Sequence, residues 1–215
     1  MKILNLGLQK YQNVYELQLK TVNEVLAGAE DTIIVCSHYP VVTLGRKTEA
    51  NEVWGWAGET VQIERGGRAT YHGPGQIILY PIINLKNYNK NLEAYLFALE
   101  DAVVKTLISF GVKAVGNPDR NNPSQTGVWV EALKIASVGV AVKSWVTYHG
   151  LALNFYNDPE AFKGINPCGK SADVMTSVEN ETDLIPVKNV FEEMLVSQFM
   201  QEMQQHKTVT EEMNF

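Results

Sequence analysis

Between Val128 and Tyr156, three apolar stretches follow one another with only short turns between them: "VWVEA", "KIASVGVAV" and "VTYHGLALNFY". Each has the β-branched, partly alternating character of a strand. A parallel return would need a long crossover, so strands this close can only pair antiparallel. The pattern also appears earlier, in "TIIVCS" and "VVTLG" on either side of Pro40, and in "TVQIERG" and "IILYPIINL" on either side of a glycine-rich segment. Pro81 inside the last of these predicts a sheet edge or a bulge. "KILNLGL" alternates like a short strand, and "VKAVG" leads into the polar loop "NPDRNNPSQTG". Helical spacing is confined to a few places. It covers about Gln9 to Ala27, with Val14, Leu17 and Val25 near one face, and Leu92 to Phe110, with Tyr95, Leu99, Val103 and Leu107 on one face and Gly111 as a left-handed stop. A short turn of helix is expected over Pro159–Lys163, and a last amphipathic helix from about Pro186 carrying Val187, Val190, Phe191, Met194, Leu195 and Phe199. Strands that succeed one another without intervening helices predict an α/β chain of the α+β type. The expectation is a single domain over residues 1–215, frayed from about residue 206, with helices packed on a mixed or antiparallel sheet.

Composition narrows the function. A chain of 215 residues can bury a core without disulfides or metal. Its formal charge of −6 argues against nucleic acid as a partner, since phosphate binding needs a basic excess. The N-terminal residues are too polar for a secretory h-region, and there is no run of about 18 apolar residues, so neither membrane insertion nor export is expected; the expected location is the cytoplasm. The two cysteines, Cys36 and Cys168, form no C-x-x-C pair. Cys36, in the apolar run "DTIIVCSHYP", reads as a buried core thiol.

"RGGRATYHGPGQ", residues 65–76, concentrates four glycines in a connection between two strands. It leads into a strand, which excludes a dinucleotide-binding fingerprint, and it lacks the spacing of a phosphate loop. Gly66 and Gly67 permit positive φ and bring bare backbone close to a ligand. Arg65 and Arg68 can hold negative charge or meet an acidic partner, and with Arg46 and Lys47 could form a basic rim. His72 reads as a structural hydrogen-bonding group rather than an acid–base one, and His149, in "TYHGLALN", as a structural hydrogen bond or a pocket wall.

Cys168 differs from Cys36. In "INPCGK" it stands on a fixed, uncluttered backbone outside any core pattern, as a nucleophilic thiol would. Its activating cation or base could be His72, His149, Lys134 or Lys170. Lys134 is unusual because it lies in an apolar, strand-like stretch, where an ammonium is costly unless paired; the alternative is a solvent-facing position in a hairpin turn "EALK".

The blocks "RGGRATYHGPGQ", "LYPIINL", "KIASVG", "HGLALN" and "INPCG", in that order, resemble the octanoyltransferase family of protein lipoylation, over nearly the whole chain. The resemblance implies a fold similar to the catalytic domains of biotin and lipoate protein ligases. It implies transfer of an octanoyl group from octanoyl-acyl carrier protein to a lysine of lipoyl domains in 2-oxoacid dehydrogenase complexes or of the glycine cleavage H protein. It assigns Cys168 as the acyl-thioester nucleophile and Lys134 as its partner. The substrate walls it implies are Arg65, Gly66, Gly67, Arg68, Ala69, Thr70, Tyr71 and His72, with Ser137, Val138 and Gly139, and with Gly150, Leu151 and Ala152 beside His149. No cofactor or metal is implied, because the donor thioester is already activated. Three rival readings remain: an ATP-dependent lipoate or biotin ligase, an octanoyl amidotransferase between lipoyl-bearing proteins, and a noncatalytic carrier-binding module. "RKTEANEV", after "HYPVVTLG", departs from the family pattern and leaves the pocket mouth open.

Overall fold

The computed structural model describes residues 1–119, 121–122, 125–169 and 171–207, and of Cys168 only the backbone. Lys170 therefore lies outside the described residues, as does the tail beyond residue 207. Among the described residues, nine strands form two sheets. The larger contains β1 (Lys2–Gln9), β2 (Thr32–His38), β6 (Gln76–Ile82), β7 (Gly127–Val130), β8 (Leu133–Lys143) and β9 (Val146–Asn154), in the order β1-β2-β6-β9-β8-β7. Only β1 and β2 pair in parallel; every other pair in this sheet is antiparallel. The smaller contains β3 (Val41–Leu44), β4 (Glu59–Gln62) and β5 (Thr70–His72), with β3 in the middle, parallel to β4 and antiparallel to β5. The fold is thus a mixed α/β domain.

Alternation along the large sheet sorts its side chains into two cores. Ile33 and Val35 of β2, Ile77 and Leu79 of β6, and Leu151 and Leu153 of β9 face α2 (Leu92–Ser109) and α4 (Lys188–Gln205). Ile34, Cys36, Ile78, Ile82 and Ala152 face α1 (Tyr11–Leu26) on the other side. Strands covered on both faces carry continuous apolar runs, which is why β2 and β6 lack a polar face. Cys36 is buried in the second core, as expected. α2 starts at Asn91, whose side chain accepts the Ala94 N–H at 2.9 Å, and is followed by Gly111 at φ +84°.

Several elements differ from expectation. β6 is an interior strand, although it contains Pro81. Its regular ladder to β9 stops at Leu79 and contact resumes at the bridge between Asn84 and Val146, so the N–H that Pro81 lacks falls in a gap of the ladder. The Thr147 hydroxyl takes over there, donating to the Pro81 carbonyl at 2.8 Å and accepting the Ile83 N–H at 3.0 Å. Residues 159–163 form turns rather than a helix, and Val115 forms an isolated bridge with Trp129. On α4, Phe191, Leu195 and Phe199 are buried, but Val187 and Val190 face solvent; Val196 and Met203 complete the packed face. The single-turn helix α3 (Val178–Glu181) follows the Cys168 region. At the outer edge, the β1–β2 register slips between Asn5 and Leu8 around Gly7 at φ +63°, a bulge in the edge strand. Among the described residues no helix is long and apolar enough to cross a membrane.

Candidate active site

A cavity of about 480 Å³ opens where the small sheet meets the large one. Its walls come from the glycine segment, from Ser137–Val140 of β8 and His149–Ala152 of β9, with Tyr11, Ile63, Tyr80 and Leu96 adding apolar surface. The volume suits a small ligand. Close backbone approach builds the wall. The Gly66 N–H donates to the Val140 carbonyl at 3.0 Å, on the edge of β8 beyond the end of β7. A Cβ at Gly139 would sit 3.1 Å from the Gly66 carbonyl oxygen, and one at Gly45 only 2.5 Å from that of Gly67. These glycines let three backbone segments meet where side chains would hold them apart.

The sequence-predicted residues divide by strand alternation. Arg65, Gly66, Gly67, Arg68, Thr70 and His72 line the cavity, as do Ser137, Val138, Gly139, His149, Gly150, Leu151, Ala152 and Lys134. Ala69 and Tyr71 do not. They lie on the opposite face of β5, packed with Val42, Phe162 and Ile165, and the Tyr71 hydroxyl donates to Asp158 at 2.9 Å. A three-residue strand within the glycine segment, which was read as loop, imposes this alternation.

The arginines also depart from the expected basic rim. Arg65 is buried and folded inward. Its guanidinium donates to the Thr43 carbonyl and hydroxyl, both at 2.8 Å, and to the Gly66 carbonyl at 3.0 Å. Arg68 is engaged by two carboxylates, Glu52 and Glu49, the latter at 2.6 Å. Of the four proposed rim cations, only Arg46 and Lys47 are exposed.

Glu52 was not foreseen, although it ties the site together. Buried beside Arg68, its carboxylate also accepts the Ala69 N–H at 3.1 Å, and its carbonyl accepts the Asn166 N–H at 2.8 Å. The glycine segment is thereby joined to the 3-10 turn Pro167–Gly169 that carries Cys168. Arg68 packs against that turn: a Cβ at Gly169 would lie 3.0 Å from its Cδ. The Cys168 side chain lies outside the described residues.

Lys134 does not face solvent in a hairpin turn. Glu131, at φ +52°, begins the turn between β7 and β8, and Lys134 is already within β8, 2% exposed. Its Nζ donates to the Thr126 carbonyl at 2.8 Å and lies 5.2 Å from the centre of the Trp129 ring. Its own carbonyl accepts the Thr176 N–H at 3.0 Å, and it forms a parallel bridge with Met175. The chain that follows Cys168 thus runs alongside the strand that carries Lys134.

Burial pushes His149 down to about 4, with the Arg65 charge adding to the effect, and pushes His72 well below its ordinary value, with His38 and Arg65 adding. Both rings are therefore neutral near pH 7, and neither supplies a cation to a thiol. His72 Nε2 shares a hydrogen bond with the Thr43 hydroxyl at 3.2 Å, and the His149 ring stacks on Tyr15. His38, which the sequence left without a role, is buried with Nε2 2.9 Å from the Tyr80 hydroxyl. Among the described residues, no three His, Cys, Asp or Glu side chains come together as metal ligands would.

Comparison with known proteins agrees with this architecture. Residues 10–206 match the family model "Lipoyl protein ligase A/B catalytic domain". The chain is 42% identical over 191 residues to an octanoyltransferase of Bdellovibrio bacteriovorus, covering 82% of this chain and 86% of the relative. It is 40% identical over 182 residues to one of Geotalea uraniireducens, covering 84% and 83%. Among solved structures, a lipoate-protein ligase A bound with ATP superposes with a TM-score of 0.78 at 15% identity, over 94% of this chain and 85% of that one. A biotin protein ligase from Aquifex aeolicus does so at 0.56 and 11%, over 95% and 70%. At such identities these structures speak for the fold alone.

Proposed function

The chain belongs to the octanoyltransferases of the lipoyl protein ligase A/B catalytic-domain family, which are acyltransferases, and we propose that it moves an octanoyl group from octanoyl-acyl carrier protein to the ε-amine of a lipoyl-domain lysine through a thioester on Cys168. The observation that carries this reading is the placement of Lys134. It is a buried lysine in the wall of a cavity with apolar sides, on a strand hydrogen-bonded to the segment that follows Cys168.

In the first half-reaction the Cys168 sulfur attacks the carrier thioester carbonyl. The new C–S bond forms, the old one breaks, and the carrier thiol leaves with the proton that Cys168 gave up. Lys134 handles that proton and, as an ammonium, favours the thiolate. Negative charge on the carbonyl oxygen in the tetrahedral intermediate needs preorganised donors, and losing one such donor typically costs ~3 kcal/mol of barrier. In the second half-reaction the acceptor amine attacks the acyl-cysteine, the amide forms, and the thiol is restored. No ATP enters, because the donor is already a thioester. The octanoyl chain lies along Val138, Val140, Leu151 and Leu96. The acceptors are lipoyl domains of 2-oxoacid dehydrogenase complexes and the glycine cleavage H protein.

Incubation of the protein with octanoyl-carrier, followed by intact-mass measurement, should add one octanoyl group that hydroxylamine removes. Cys168→Ala should lose both the adduct and the transfer. Full-rate transfer by Cys168→Ala would overturn the covalent route, and activity with free octanoate only in the presence of ATP would make the protein a ligase.

A further inference from the structure

Glu100 lies in the third turn of α2, a helix whose buried face is otherwise apolar except for Thr106, and is 1% exposed. A carboxylate in such a place is costly unless its oxygens are hydrogen-bonded. One oxygen accepts the Gly127 N–H at 2.7 Å and the other the Asn117 N–H at 3.1 Å. Glu100 therefore grips both ends of the polar segment that separates α2 from β7.

The Gly127 N–H belongs to the same planar, trans peptide as the Thr126 carbonyl, so the two groups point in opposite directions. That carbonyl is the one Lys134 Nζ contacts, at 2.8 Å. The order is carboxylate, peptide, ammonium, with the peptide dipole aligned between opposite charges. Hydrogen bonds in such a series polarise one another. The stem of Lys134 packs directly on this peptide: a Cβ at Gly127, which adopts φ +135°, would lie 2.6 Å from Lys134 Cε and 2.4 Å from the Ala136 carbonyl oxygen. Only glycine fits both the conformation and the space.

We infer that Glu100 is the positioning residue for Lys134, acting through the Thr126–Gly127 peptide. It fixes the direction of the Thr126 carbonyl and strengthens it as an acceptor, so the ammonium is held at one place in the cavity wall. This rests on the reading of Lys134 as the group that handles the thiol proton. A loop anchor without this role would support folding and nothing more.

Two measurements on the full-length protein separate these roles. The first is single-turnover octanoyl transfer by wild type, Glu100→Gln, Lys134→Met and the double variant, with unfolding temperatures recorded for each. Glu100→Gln should lower the transfer rate roughly tenfold with KM unchanged, as expected for weakening a hydrogen bond to a charged group. In the Lys134→Met background the same change should have no further effect. Equal slowing in both backgrounds, or an unchanged rate in a folded Glu100→Gln protein, would overturn the inference. The second measurement needs neither a Glu100 variant nor transfer activity. In Lys134→Met the Gly127 amide proton should move upfield by NMR and exchange faster, because the coupling is reciprocal. A Gly127 amide that does not respond would refute the link even if octanoyl transfer is confirmed. If transfer itself fails, this arm still decides the link between Glu100 and Lys134.

Discussion

Gly150→Ala is expected to be among the most damaging single-methyl additions to this protein, for a reason unrelated to ligand binding. Gly150 borders the cavity, but the position of its missing side chain faces β6: a Cβ there would lie 2.1 Å from the Leu79 carbonyl oxygen, 2.9 Å from Pro81 Cδ and 3.2 Å from the Leu79 carbonyl carbon. The two nearest of these atoms belong to interior-strand backbone and a proline ring, and neither can rotate aside. The strands must separate by more than an ångström, next to the last ladder pair, Leu79 with Leu151. Overpacking reaches about 3 kcal/mol and a lost ladder hydrogen bond about 1 kcal/mol, so the expected loss is about 4 kcal/mol. For a domain of this size that lowers Tm by roughly 8–16 °C. The control is Gly66→Ala. It is also on the cavity wall, but its added Cβ would meet only the Val140 carbonyl oxygen at an ordinary 3.7 Å, at a φ any residue adopts. Urea unfolding of the three proteins, compared at constant m, measures both effects. A Gly150→Ala protein within about 0.5 kcal/mol of wild type would show that the strands yield freely and would refute the reasoning.

Two further outcomes are expected. His38 and His149 are both held down to about 4 by burial, so the unfolded chain binds their protons first as pH falls. Stability should be fully present above about pH 6.5 and decline towards pH 4 by up to ~1.4 kcal/mol per pH unit for each histidine, seen as a falling Tm; a flat profile over that window would contradict neutral burial. Val138→Phe should shift acyl preference to shorter chains, since each methylene excluded from the cavity forfeits roughly 0.8 kcal/mol, about fourfold in relative rate; competition between hexanoyl and octanoyl donors reads this, and an unchanged ratio would place the chain elsewhere.

Elements with a strong period or a clear stop were legible in the sequence. The β7–β8–β9 succession, the α2 face and Gly111 correspond to the structure because local pattern and tertiary packing agree there. The division into two sheets was not legible. β5 is three residues long, inside a segment whose glycines read as loop, so the alternation that turns Ala69 and Tyr71 away from the cavity was not visible. The turn at Ser144 and Trp145, both at positive φ, carries none of the Asn-Gly signal that such a hairpin usually shows. Arg65 looked like a surface cation because a buried guanidinium is recognisable only from its partners, here Thr43 and Gly66, and one of them is distant in sequence. Glu52 was hidden in "RKTEANEV", the stretch that departs from the family pattern. Glu100 did leave a trace: with Leu96, Val103 and Leu107 it completes a spacing of four, three and four, so a carboxylate occupies a position that helical geometry turns inward.

The bulge at Gly7 bears on how the outer sheet edge meets other chains. A sheet that ends in an open row of amides and carbonyls is a template on which another chain's strand can dock and propagate. Interrupting that row midway, where the chain twists out of register, leaves no long straight border to copy. Adhesion of another chain through the backbone is thereby discouraged along this edge, and contacts made there are left to side chains that can let go.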